Sequence, residues 1–174
     1  MRLAVLVSVL ALAACATTSS ATRTLTPADS ATRLIAGESV TLTRTARSNG
    51  GDGQDAATAL TMRLADGRTL AFMEANHTPN DVRAQAAGGP LAQVMGLFDE
   101  TARPTLYAAE NAAAAPFCAP GGPAYLGIYD SAEGTLIVGL KEGFQFEERA
   151  DGTAEALPVS PDLVCSRMRF TRAG

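Results

Sequence analysis

The sequence predicts an α+β domain, mainly antiparallel β-sheet with a short helical insertion around residues 79–99. Three observations predict it. Apolar and polar residues alternate between Val40 and Phe72, the period-2 signature of half-buried strands. Two near-continuous apolar runs, Tyr125 to Tyr129 and Leu136 to Leu140, read as central strands buried on both faces. Between these regions Pro79 and Pro90 open segments with helical spacing.

The elements follow in order. A strand begins near Glu38, where Val40 and Leu42 alternate with Ser39, Thr41 and Thr43. The run Asn49-Gly50-Gly51-Asp52-Gly53-Gln54-Asp55 is a loop. Leu60, Met62 and Leu64 precede Ala65-Asp66-Gly67, and Leu70 and Phe72 follow it. A two-residue Asp-Gly turn would set Arg63 opposite Leu70 and mix the faces. A three-residue loop pairs Leu64 with Arg68, Met62 with Leu70 and Leu60 with Phe72, with Gly67 left-handed as a type I turn plus bulge requires. The three-residue loop is therefore expected.

Thr78 can cap a helix that Pro79 opens and Gly88-Gly89 stops. A second helix is expected from Pro90 to about Asp99, with Leu91, Val94, Met95 and Phe98 on one face. Asp130 to Gly134 is a hairpin loop between the two apolar strands. Phe144 and Phe146 alternate with Gln145 and Glu147. In the last strand, Val164 to Thr171, one face carries Val164, Met168 and Phe170, and the other Cys165, Arg167 and Arg169.

The chain opens on Met1-Arg2, a twelve-residue apolar run from Leu3 to Ala14, and Cys15. Such a run is too short for a bilayer core of ~30 Å and suits the h-region of a signal peptide. Leu12-Ala13-Ala14-Cys15 resembles the lipobox of bacterial lipoproteins at all four positions. The resemblance implies acylation of Cys15 and removal of residues 1–14. Several acyl chains on one residue anchor a protein stably, where a single chain does not. The next residue is Ala16 rather than Asp, which by resemblance to the enterobacterial sorting rule implies the outer membrane, periplasmic side. Residues 15–37 then form the lipidated cysteine and a flexible tether of small polar residues, and 38–174 a single globular domain.

With Cys15 assigned to lipid, Cys118 and Cys165 are an even pair in an oxidising compartment, and a disulfide is expected between them. The formal charge is −4, which argues against nucleic acid. All but one of the 14 basic residues are Arg, the exception being Lys141.

Few residues offer chemistry. His77 is the one histidine, three residues from Glu74, and reads as a pre-helix loop residue sooner than as a general base. Asp52 and Asp55 offer oxygen ligands in a Gly-rich loop but lack the order of a calcium-binding EF-hand, so no metal is expected. Glu147 and Glu148 are adjacent on a strand and point to opposite faces. Tyr107, Phe117, Tyr125 and Tyr129 could line a groove, with core packing as their default. No Gly-x-Ser-x-Gly, Ser-x-x-Lys, His-Glu-x-x-His or Walker pattern occurs, and no cofactor is expected.

The expected function is that of a lipid-anchored envelope protein, a non-enzymatic binding or structural accessory with an envelope protein as possible partner. The alternative is a periplasmic ligand binder or inhibitor. In outline the chain resembles the membrane-bound lysozyme inhibitors, small lipobox-bearing β-proteins with one disulfide, although their inhibitory loop residues match no positions here. An envelope hydrolase using His77 with a carboxylate is a third reading.

Overall fold

Inward-facing apolar residues recur on eight strands, and that recurrence closes the sheet on itself. The computed structural model describes residues 17–48, 57–75, 79–110 and 117–171. The strands are β1 (Thr17–Pro27), β2 (Val40–Ser48), β3 (Ala57–Leu64), β4 (Thr69–Glu74), β5 (Thr105–Ala109), β6 (Tyr125–Asp130), β7 (Gly134–Leu140), the outlying pair β8 (Phe146–Glu148) and β9 (Ala154–Ala156), and β10 (Val164–Thr171). The closed barrel runs β1-β10-β7-β6-β5-β4-β3-β2, with every neighbouring pair antiparallel.

This corrects the expected α+β class. Among the described residues there are three short α-helices, α1 (Ser30–Ala36), α2 (Pro79–Gln85) and α3 (Pro90–Met95), and they decorate the barrel without forming a layer of their own. The expected tether over 15–37 is corrected as well. From Thr17 the chain is strand, paired with β2 from Thr17–Ser48 to Leu25–Val40. β1 supplies the strand that joins β2 to β10. With residues 15–37 set aside as tether, the sheet would have kept two open edges.

The hairpin register is as the alternation demanded. Met62 faces Leu70 and Leu60 faces Phe72, the Leu64 N–H donates to the Arg68 carbonyl at 2.9 Å, and Gly67 has φ +88°. Leu42, Leu60, Met62, Phe72, Leu126, Ile128, Ile137, Met168 and Phe170 fill the barrel interior. The outer face of β1 and β2 is polar. Thr22 and Thr43 meet hydroxyl to hydroxyl at 3.0 Å, and Thr24 and Thr41 at 3.5 Å. On this side the barrel is apolar inside and polar outside, the reverse of a lipid-facing strand pair.

β6 and β7 are buried on both faces because α2 and α3 cover their outer side. Leu91 and Met95 of α3 join Leu106, Val138, Leu140 and Leu163 in a second apolar cluster. The helix comes so close that a Cβ on Gly127 would lie 2.5 Å from Leu91 Cδ1 and 3.3 Å from Met95 Sδ. α3 ends at Met95, capped by Gly96 in the left-handed conformation, and not near Asp99. Phe98, expected on the buried face, is 93% exposed. Arg167 on β10 holds the last turn by donating to the Val94 and Met95 carbonyls.

α1 was not anticipated. Asp29 caps it by accepting from the Thr32 N–H at 2.7 Å, and Gly37 ends it with φ +81°. Thr32 Oγ1 accepts from the Arg169 N–H at 2.8 Å, tying the helix to β10.

Cys118 and Cys165 are joined, with Cα atoms 4.8 Å apart. The register of β10 shifts between Val164 and Ser166, a bulge at Cys165. A regular strand would put Cys165 on the Arg-bearing face. The bulge instead packs it against the interior cluster, beside Cys118 and Phe117, and sends Val164 to the outer cluster.

Two outcomes follow. Gly127→Ala should lower stability by about 1–3 kcal/mol through overpacking against Leu91; an unchanged urea midpoint would contradict the close approach of α3. Cys165→Ser opens a link spanning 47 residues and should lower stability by about 4 kcal/mol on the chain-entropy account. A midpoint insensitive to this change or to reductant would contradict the cross-link.

Candidate functional site

The apolar filling stops short of one barrel end. At that end lie the start of β1, the facing ends of β2 and β3, the end of β4 and the β6–β7 hairpin. There the inward positions carry polar and charged residues.

The register identifies them. Arg23 on β1 is paired with Leu42, and Arg44 on β2 with Leu60, so both guanidinium stems start on the interior face. Glu74 on β4 is paired with Tyr107 on β5, and Asp130 on β6 with Thr135 on β7. Arg23, Arg44, Glu74, Asp130 and Thr135 each lie two residues along their strand from a buried interior residue, respectively Leu25, Leu42, Phe72, Ile128 and Ile137.

Asp130 is the hub of this ring. Its Oδ1 accepts from Arg23 at 2.6 Å and from the Thr135 hydroxyl at 2.7 Å, and its Oδ2 accepts from Arg44 at 3.1 Å. Burial raises the Asp130 pKa, but hydrogen bonds from Arg23 and Thr135 and the charges of both arginines outweigh it, so the carboxyl titrates below its ordinary value. Arg44 Nε is buried without a hydrogen-bond partner. Tyr107 lies beside Arg44. Burial pushes its phenol up, and the Glu74 and Asp130 charges push the same way against the pull of Arg44, so it is a neutral donor at physiological pH. A cleft of about 300 Å³ opens beside Arg23, Asp130, Ser131 and Thr135.

The cleft lies beside the β1–β10 seam. Among the described residues β10 meets β1 at Thr26–Thr171 and Pro27–Phe170, with one further bond from the Ala28 N–H to the Arg169 carbonyl at 2.8 Å. Beyond it β1 continues alongside β2 to Thr17. Arg23 reaches from β1 to Asp130 at the end of β6.

Chemically this ring can hold a polar or charged group. It is poorly suited to moving protons. Asp130 is ionised and already accepts three hydrogen bonds, guanidinium groups are hydrogen-bond donors without acceptor capacity, and the phenol is pushed upward.

Of the residues singled out in the sequence, Glu74 stands in this mouth. His77, Asp52, Asp55 and Cys15 lie outside the described residues. The chain positions flanking three of them, Ala75, Ser48 and Ala57, are at the mouth end. The four aromatics do not form one groove: Tyr107 and Phe117 are in the interior cluster, while Tyr125 and Tyr129 belong to the outer one. Glu147 and Glu148 are exposed on β8. Sequence reasoning missed Arg23, Arg44, Asp130 and Thr135. The available signal was parity, since Arg44 follows Val40 and Leu42 at the same two-residue step.

Because the folded-state pKa of Asp130 is depressed, the stability it contributes is present above the ordinary carboxylate range and is lost as pH falls through the lower folded value. Asp130→Asn should therefore flatten the acid limb of the stability profile. Urea midpoints from neutral pH to about pH 3 check this, and parallel profiles for the two proteins would contradict it. A scan of protein-family models and searches of curated proteins and of solved structures find no match to this chain.

Proposed function

We propose that this chain is a bacterial lipoprotein, acylated at Cys15 and held at the periplasmic side of the outer membrane, whose barrel is a non-enzymatic binding module. The observation that carries the binding reading is the ring at the barrel mouth. Two arginines share one carboxylate, with a buried guanidinium Nε left without a partner and a cleft alongside. Charged groups drawn to the end of an otherwise apolar barrel are what a module that holds a polar ligand needs.

The envelope reading is supported by the lipobox resemblance at Leu12-Ala13-Ala14-Cys15 and by the Cys118–Cys165 disulfide, which suits an oxidising compartment. The polar outer face of β1 and β2 suits a barrel held beside a membrane and not within it. The reading as a binder in place of a hydrolase is supported by the state of Asp130, whose depressed pKa and full set of donors make it a weak base.

The lipidated form is tested in the native bacterium. Wild-type chain should incorporate radioactive palmitate and fractionate with the outer membrane. Cys15→Ser should lose the label, and retained labelling would refute acylation at this residue. The inhibitor alternative is tested separately: no effect on lysozyme at micromolar protein removes it.

A further inference from the structure

The hairpin of β8 and β9 stands apart from the barrel. It leaves after the end of β7 and returns before β10, where the Lys141 N–H donates to the Leu163 carbonyl at 3.0 Å. The mouth ring is at the other end of β7, at Thr135. Among the described residues β8 and β9 pair with each other and with no barrel strand. We propose that this hairpin docks an extended, cationic segment of another protein, one in which an apolar residue is flanked at two-residue spacing by lysines or arginines. This goes beyond the reading of the mouth and does not depend on it.

The register defines the free face. Phe146 is opposite Ala156, Glu147 opposite Glu155, and Glu148 opposite Ala154. The ladder is extended by bonds from the Leu157 N–H to the Gln145 carbonyl at 2.9 Å and from the Arg149 N–H to the Thr153 carbonyl at 2.7 Å. Successive side chains point to opposite faces. Phe146 packs against the outer apolar cluster. Gln145, Glu147, Glu155 and Leu157 therefore share the outward face, and Leu157 is 39% exposed on it.

Charge selects the partner. Glu147 and Glu155 stand directly across from each other. Like charges in that position are unfavourable, and a two-stranded hairpin has little stability to lose. Arg149 pairs with Glu155, and among the described residues no cation pairs with Glu147. A basic side chain from outside is what this face lacks. Its surroundings share its sign. Residues 141–163 hold two basic and six acidic residues, a balance of −4, which is the formal charge of the whole chain. Such a field draws cationic partners and repels anionic ones.

The apolar contact lies at the hairpin base. A cleft of about 150 Å³ opens between the two arms, with Glu142, Phe144, Leu157, Val159 and Leu163 in its wall. A space of that size accepts one apolar side chain. Leu157 belongs both to this cleft and to the acidic face, two residues from Glu155, about 7 Å along the strand. An extended partner advances by the same step. With its apolar residue in the cleft, a basic residue two positions on meets Glu147 and Glu155, and Glu142 favours a second.

The test uses the mature chain, residue 15 onward, carrying Cys15→Ser. The probe is a dye-labelled peptide containing Lys-Ser-Leu-Ser-Lys twice, titrated by fluorescence anisotropy at low salt. It should bind saturably, and Glu147→Gln and Leu157→Ser should each weaken it by about threefold or more. Glu38→Gln makes the same change in net charge between α1 and β2 and should leave the affinity unchanged. An equal loss there would reduce the binding to net charge and overturn the site. Amide exchange at Leu157 separates a binding role from a structural one. Relief of the opposed carboxylates should slow that exchange in Glu147→Gln while binding weakens. Faster exchange in this variant, or binding equal to wild type, would overturn the site. So would a wild type that does not bind the peptide, or that binds equally a peptide with Glu in place of Lys. A peptide with Ser in place of Leu should bind more weakly, and equal binding would overturn the role of the cleft.

Discussion

β1 must pair with β2 along nine residues and still meet β10 before the chain turns into α1. The rest of the structure depends on that closure. A closed sheet leaves no unpaired strand edge along its seam and encloses an interior from which water is excluded. Leu25 and Pro27 bring β1 into the core, and Thr32 of α1 secures the junction by accepting from the backbone of Arg169. Further along β1 a side-chain contact, Arg23 to Asp130, joins it to β6, and a cleft lies beside that contact.

The interior is consequently divided. Below the mouth it is apolar and closely packed, and a charge placed there would be strongly disfavoured. At the mouth, partial access to solvent lowers that penalty, and one carboxylate between two arginines lowers it further. The ring is thus built from charges that the barrel tolerates only at its end. The outer helices serve a separate need. The hydrophobic face of β5 to β7 would otherwise be exposed, and α3 covers it so closely that a Cβ at position 127 would push against Leu91.

Several features were legible because local chemistry decides them. The Leu60–Phe72 register follows from alternation and one left-handed glycine. The helix starts at Pro79 and Pro90 follow from proline at the first helical position, and the buried strands β6 and β7 from uninterrupted apolar runs. What was illegible depends on partners far away in sequence. The first residues of β1 are Thr, Ser and Ala, with no apolar period until Leu25, so only the empty place between β2 and β10 makes them a strand. α1 is seven residues long and depends on its contact with β10. β5 is five residues, and the bulge at Cys165 reverses the parity expected of a regular strand. The mouth was hidden for the same reason. Arg23, Arg44 and Asp130 are distant in sequence and meet only after closure.

The direct run of β1 from the region of Cys15 also has a mechanical consequence. In an anchored molecule, drag on the barrel would be transmitted lengthwise through β1. Antiparallel hydrogen bonds lie perpendicular to their strands, so a lengthwise pull strains the whole β1–β2 ladder together and cannot unzip it one bond at a time. A pull applied at the start of β1 would fall on the nine pairs it makes with β2, in the direction that resists it best.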